Sequence, residues 1–307
     1  MTDVLLLSFG VLAAAAGGEL FVRGAIGVAA WLRVPAGIIG ATIAAFATST
    51  PEFSVALNGA TTGHPQIPLG DALGSNVTNI GLVLGLTLLL GPLATNRGAI
   101  RRDLPFAFAA PVITLLLLAD GPLGRVDGAV FIAVFATWLV IAVLEARRAR
   151  TAAVGIIGET RPRRAMLMSA GGLLLLGLAG RLIVLAAKGI GEDLGIDSFM
   201  VGATLVAVGT SAPELATTVV ASLRGHAEIG LGTIVGSNIF NNLWIVGVTA
   251  LIDPIDVEWR EVTTALVACT LVLLLVIPGS ARTLGRRRGL GMLGGYGAYV
   301  AVLLSSA

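Results

Sequence analysis

Two glutamates, Glu52 and Glu214, stand in matching surroundings and are the groups with which this chain could do chemistry. Each closes a Thr-Ser-x-Pro-Glu run that begins at Thr48 or Thr210, and each run is followed by Gly-Ser-Asn-x-x-Asn, at 74–79 and 236–241. The two stretches, 40–81 and 202–243, register without a gap, so every shared residue of the first recurs 162 positions later. Carboxylates, amides and hydroxyls are hard oxygen donors. Calcium takes six to eight such oxygens, and two glutamates would neutralise one Ca²⁺. With no Cys or His inside either motif core, a zinc or copper site is disfavoured. Thr48, Ser49, Thr210 and Ser211, with Ser75 and Ser237, add hydroxyl and carbonyl oxygens suited to a smaller monovalent ion beside the Ca²⁺ position. A blander reading stands next to this one. The glutamates could be two protonated, hydrogen-bonded acids forming a proton relay. The hydroxyls could simply bond their own helices, and Asn76 and Asn238 could bond across helices as packing contacts.

Spacing says how these groups are held. Thr48 and Glu52 are four residues apart, as are Ser75 and Asn79, which puts each pair on one helical face. Pro51 and Pro213 precede the acids, removing an amide donor and clashing with the preceding turn. The carbonyls near Ala47 and Gly209 are therefore expected to be free and the helices broken. Irregular backbone at membrane depth persists only where it is buried in protein or lines a wet cavity.

Membrane depth is the right frame, because 56% of the 307 residues are hydrophobic and only 12% charged, about half the charge of an ordinary soluble domain. Roughly ten stretches approach the ~20 apolar residues needed to cross a bilayer: 3–29, 34–61, 68–91, 104–120, 126–146, 164–190, 196–222, 229–252, 262–279 and 290–306. None alternates apolar with polar residues as a β-barrel strand would. The 41 glycines suit helices that approach closely in lipid. No cleavable signal is expected, since the first apolar stretch lacks a basic start and runs into Glu19 and Arg23.

Charge sets the orientation. The segment 147–163 carries Arg147, Arg148, Arg150, Arg161 and Arg163, with Arg164 next, so it is placed in the cytoplasm. Arg33, then Arg97, Arg101 and Arg102, then Arg224, then Arg282 and Arg286 to Arg288 fall on the same side, and the opposite loops are acidic or uncharged. Both termini are then extracellular. Each half holds five crossings, and an odd number turns the second copy over relative to the first. The expected architecture is all-α: one transmembrane domain of ten helices in two inverted five-helix repeats, 1–146 and 164–307, joined by 147–163. Glu52, Asn79, Glu214 and Asn241 would meet near mid-bilayer. A carboxyl there costs about 2.5–3.5 kcal/mol on insertion scales; a bound cation is the natural compensation.

Other residues fit ordinary roles. Asp71, whose counterpart is Thr233, reads as a solvated or capping residue near the outer end of its helix. His64 and His226 read as turn residues, and Cys269 as a small buried side chain. Glu19 is expected to pair with Arg23 on one helix face, while Arg181 and Lys188 reach the outer interface. Trp31, Trp259, Tyr296 and Tyr299 are candidate interfacial anchors.

With its motifs ATSTPE at 47–52, GSNVTN at 74–79, GTSAPE at 209–214 and GSNIFN at 236–241, the chain resembles the cation/Ca²⁺ antiporter superfamily, and most closely prokaryotic Na⁺/Ca²⁺ exchangers. The resemblance covers essentially the whole chain. It implies that Glu52 and Glu214 ligate Ca²⁺ together with carbonyl oxygens of Thr48 and Thr210. It also implies that Ser49, Ser75, Asn79, Ser211, Ser237 and Asn241 complete Ca²⁺ and Na⁺ sites, and that the first and sixth helices slide across the other eight. The first copy departs from the pattern at Ala47 and Thr50, where a Gly-Thr-Ser start is more usual. Some microbial relatives carry Asp at one of the positions held here by Asn79 and Asn241, which bears on Na⁺ stoichiometry. Proton-coupled relatives read Gly-Asn-Ala-x-Glu, which this chain does not.

The function expected is secondary antiport of Na⁺ against Ca²⁺ in the inner or plasma membrane. The transported ions are its only cofactors; lipid is its surroundings, nucleic acid is no partner, and a monomer is plausible. H⁺/Ca²⁺ antiport with the same glutamates is the alternative, followed by a passive cation channel. An intramembrane enzyme is disfavoured, because His-Glu-x-x-His is absent and neither Ser motif has a neighbouring base.

Overall fold

The computed structural model describes residues 2–31, 46, 48–95, 97–148, 161–223, 227–277 and 283–305. Apolar chain in lipid must satisfy its own amides and carbonyls, and these residues do so almost wholly as helix. In chain order they are α1 (Thr2–Trp31), α2 (Thr50–Thr61), α3 (Gln66–Leu90), α4 (Arg97–Leu117), α5 (Arg125–Arg148) and α6 (Pro162–Leu194). There follow α7 (198–210), α8 (Ala212–Leu223), α9 (227–252), α10 (Trp259–Leu274) and α11 (Arg286–Ser305). Six stretches among the described residues are long and apolar enough to cross a membrane: Thr2–Phe21, Gln66–Leu90, Arg101–Asp120, Arg125–Glu145, Pro162–Leu194 and Gly230–Ile252. The other expected spans fall on α2, on α7 with α8, on α10 and on α11. Residues 40–45, Ala47 with its expected free carbonyl, Arg33, Arg224, His226, Arg282 and 149–160 of the joining segment lie outside the described residues.

Three helices contain a wide π-type turn: Thr78–Leu84 in α3, Gly202–Val206 in α7 and Phe240–Ile245 in α9. Such turns re-aim side chains and occur often at functional sites. Asn79 and Asn241 each stand second in theirs.

Packing is backbone against backbone where small residues allow it. α1 runs along α6; a Cβ on Gly172 would lie 2.4 Å from the Phe21 nitrogen. α3 crosses α7 just as closely, since a Cβ on Gly74 would lie 2.3 Å from the Ala203 carbonyl oxygen. Leu69, Leu73, Val77, Ile80 and Leu84 of α3 are buried in the core. Beside them Phe46, Phe53, Phe135, Phe240 and Trp244 form an aromatic cluster, with ring centroids 4.9 Å apart for Phe46 and Phe240 and 5.3 Å for Phe135 and Trp244. Two short links join loops: β1 (Leu93–Ala94) pairs antiparallel with β2 (Thr283–Leu284), and Leu123 bridges Ile255.

Glu19 pairs with Arg23, and Cys269 is buried. Lys188 reaches Glu192 at 3.9 Å, and Trp31 and Trp259 are exposed. Tyr299 corrects the sequence expectation. It is buried, and its hydroxyl donates to the Ala203 carbonyl at 3.4 Å, so it is a packing residue between α11 and α7 and not an interfacial anchor.

Candidate ion-binding site

Pro51 and Pro213 stand in the first turns of α2 and α8 and cannot donate a backbone hydrogen bond. Immediately before these helices the chain leaves helical geometry for one residue, Ser49 at φ −89°, ψ 15° and Ser211 at φ −77°, ψ 4°. The break on each side is thus one residue long and falls on a serine, with a threonine before it and the glutamate about one turn after it. The carboxylates of Glu52 and Glu214 are both fully buried.

The two breaks meet α3 and α9. Ser49 Oγ donates to Glu214 Oε1 at 3.4 Å and Ser237 Oγ to the same oxygen at 3.2 Å. The Thr48 and Ser237 hydroxyls are 3.2 Å apart, and the Thr210 and Ser75 hydroxyls 3.4 Å. Exchanging each residue for its partner 162 positions away converts the first pair into the second. The amides are less even. Asn79 Nδ2 donates to Asn238 Oδ1 at 3.2 Å, and Asn238 Nδ2 donates to the Asn76 carbonyl at 3.0 Å. On the mirrored side both polar atoms of the Asn241 side chain and Asn76 Oδ1 have no partner among the described residues.

The acids are under-satisfied in the same way. Neither Glu52 oxygen has a hydrogen bond of normal geometry among the described residues; the same holds for Glu214 Oε2 and the Ser211 hydroxyl. Nor, among the described residues, does any Lys, Arg or His form an ion pair with either glutamate. Buried carboxylates without a basic partner, with the Ser49 and Ser237 hydroxyls on Glu214, form a donor set suited to hard cations.

Asp71 overturns its expected role. It is fully buried, and it accepts from Thr210 Oγ1 at 2.8 Å and from Ser75 Oγ at 3.3 Å, both on Oδ1. Neither solvent nor a helix end holds it. The signal was present in the chain: Asp71, Ser75 and Asn79 follow one another at intervals of four and so share a face of α3. Its place near a helix end pointed the other way, and the crossing with α7 prevailed. His64 lies in the turn between α2 and α3.

The family described as sodium/calcium exchanger protein matches residues 2–144 and 164–305. The chain belongs to the sodium/calcium exchanger family. Its members are multi-pass membrane antiporters that move Na⁺ and Ca²⁺. Among relatives, a protein named as a candidate antiporter, CaxA of Alkalimonas amylolytica, is 35% identical over 300 residues, covering 94% of each chain. The sodium/calcium exchanger MaX1 of Methanosarcina acetivorans is 28% identical over 344 residues, covering 98% of each. Among solved structures, the sodium-calcium exchanger NCX_Mj soaked with 10 mM Na⁺ and 10 mM Sr²⁺ superposes with a TM-score of 0.68 at 27% identity, covering 97% of each chain.

Proposed function

We propose that this family member is a secondary active antiporter in which inward Na⁺ drives outward Ca²⁺ by alternating access. Glu52 and Glu214 are the charged ligands, with carbonyl oxygens of Thr48 and Thr210. Ser49, Ser75, Asn79, Ser211, Ser237 and Asn241 complete the sites. The observation that carries this is the pair of buried glutamates whose oxygens lack any basic partner among the described residues. Buried carboxylates persist where a charge compensates them, and here a transported cation is that charge. Coupling follows from competition: the same carboxylates are satisfied by Ca²⁺ or by several Na⁺, but not by both together.

The architecture belonging to this reading is ten helices in two inverted halves, 1–146 and 164–307, with 147–163 cytoplasmic and both termini outside. Its support is the duplicated sequence, the family match to each half and the mirrored hydroxyl pairs. The loop links point the same way: moving 162 residues carries Leu93 onto Ile255 and brings Leu284 to within one residue of Leu123. α1 and α6, in close contact along their lengths, form the pair that slides to expose the site to either side.

The test is ⁴⁵Ca²⁺ uptake into proteoliposomes loaded with Na⁺, with a pH gradient as the comparison arm. Uptake should follow the Na⁺ gradient and vanish in Glu52→Gln and Glu214→Gln. Near-normal uptake by either variant refutes the carboxylate assignment, and uptake driven by pH alone moves the coupling to protons.

A further inference from the structure

We infer that the groove between α10 and α11 holds one phospholipid with an amine headgroup, phosphatidylethanolamine, its phosphate on Arg260 and one acyl chain laid along the two helices. The groove has a volume of about 560 Å³ and is walled by Thr264, Val267, Leu271, Ala298 and Val302, with Trp259 and Arg260 at one end. None of its lining residues belongs to the two repeated motifs, so the inference stands apart from the antiport reading. It faces outward from the bundle, since Val267, Leu271 and Val302 are exposed.

Its length suits a lipid tail. From Trp259 to Val272 the helix advances about 20 Å, at about 1.5 Å per residue, and half of a hydrocarbon core about 30 Å thick is about 15 Å. The groove therefore runs from a headgroup region to the middle of the bilayer. At that deep end the two helices touch, a Cβ on Gly295 falling 2.8 Å from Val272 Cγ1. The walls are dry because their hydroxyls are engaged elsewhere. Thr263 and Thr264 donate to the carbonyls of Trp259 and Arg260 at 2.6 and 2.8 Å, and Tyr299 donates to the Ala203 carbonyl at 3.4 Å.

The mouth is charged. Arg260 is exposed and forms no ion pair among the described residues, and a guanidinium takes phosphate oxygens two at a time. Trp259, also exposed, is of the type that sits at headgroup level. Asp256, Glu258 and Glu261 line the adjoining cavity. They repel a headgroup of net negative charge and match one that carries an ammonium beside its phosphate. A second copy of the chain fits less well. Two copies in one membrane orientation pair about an axis along the membrane normal, which sets one Arg260 against the other at the same depth and leaves two concave faces unfilled.

The full-length protein, stripped of lipid in detergent, is titrated separately with dioleoyl phosphatidylethanolamine, phosphatidylcholine and phosphatidylglycerol, and bound lipid is counted by native mass spectrometry. Wild type should hold one phosphatidylethanolamine per chain at concentrations where the other two are not retained, and its thermal midpoint should rise with occupancy. Arg260→Gln should lose both the lipid and the rise, as should Ala298→Trp, which fills the groove. Arg125→Gln, which removes a basic residue elsewhere on the same proposed side, should match wild type. Undiminished binding in Arg260→Gln overturns the site, as does a preference for phosphatidylglycerol or phosphatidylcholine, or equal loss in Arg125→Gln. A wild-type dimer that Ala298→Trp separates gives the groove to a second copy and also overturns it. Should Ala298→Trp fail to fold, the comparison of Arg260→Gln with Arg125→Gln decides alone.

Discussion

Glu214→Gln should uncouple stability from calcium, two properties that a merely structural glutamate would lose together. Glu214 Oε1 accepts two long bonds, 3.4 Å from Ser49 and 3.2 Å from Ser237, and Oε2 accepts none among the described residues. Two neutral hydrogen bonds contribute about 1 kcal/mol each, whereas burying an ion costs several kcal/mol. Held as an ion without Ca²⁺, Glu214 carries a deficit that glutamine, isosteric and uncharged, relieves. Without Ca²⁺ the variant should melt no lower than wild type, and up to about 2 kcal/mol more stable is reasonable for removing an uncompensated buried charge. Calcium reverses the ranking. One unit-charge pair at 4 Å is worth about 4 kcal/mol at an effective dielectric constant of 20. Removing one carboxylate from around a divalent ion then lowers affinity by at least about a thousandfold, at 1.4 kcal/mol per decade. Wild type at a hundred times its Kd gains about 2.7 kcal/mol from the ligand, and the variant should gain nothing at that concentration. Thermal unfolding of detergent-purified protein, in chelator and across a Ca²⁺ titration, reads both numbers. A variant that melts lower than wild type in chelator yet keeps the full Ca²⁺-induced rise would refute the reasoning.

Two further expectations concern the frame around the site. Gly74→Ala puts a Cβ 2.3 Å from the Ala203 carbonyl oxygen, a backbone atom that cannot swing aside. α3 must move off α7, at about 1–3 kcal/mol for overpacking. The thermal midpoint and Ca²⁺ uptake should both fall, while Gly294→Ala on α11, whose Cβ meets nothing within 4 Å, should match wild type. The second concerns Glu261, ahead of the apolar stretch 262–279, in a cavity of about 300 Å³ with Gln66, Asp197, Ser198, Asp256 and Glu258. Burial, then the nearby charges of Asp197 and Glu258, push its carboxyl up to about 7 from an ordinary 4.5. Between those values the folded protein binds a proton that the unfolded chain does not, so this group's contribution to stability declines as pH rises from about 4.5 to about 7. Glu261→Gln should flatten that decline in thermal midpoints measured across the window, and an unchanged slope would show that Glu261 is not its source.

The helical membrane architecture was legible because lipid leaves the backbone few options, and apolar length is then enough to draw the elements. Breaks beside Pro51 and Pro213 were legible for the same kind of reason, a missing amide that no neighbour can replace. Three things were not. The wide turns at Thr78, Gly202 and Phe240 depend on which helix lies alongside, and nothing in those stretches differs from ordinary helix. Tyr299 looks like an anchor until α7 is packed against it. Asp71 departs from its expected role because distance along a helix is a poor measure of depth. Gly70 and Gly74 admit α7 so closely that a residue near the start of α3 is sealed from water.

Duplication and asymmetry divide the work of such a site. Mirrored hydroxyl pairs, Thr48 with Ser237 and Thr210 with Ser75, are two equivalent sets of oxygens. Alternating access, as proposed, needs that equivalence, since the same ion must be met and released on both sides. What the repeat does not duplicate then makes the two sides unequal. Asp71, Phe46 and Phe53 stand in the first half, where the second carries Thr233, Val208 and Leu215, while Trp244 stands in the second, where the first carries Leu82. Equalising them, by placing Asp at 233 or thinning the aromatics, should shift the balance between the two open states of the proposed cycle while leaving the glutamates untouched.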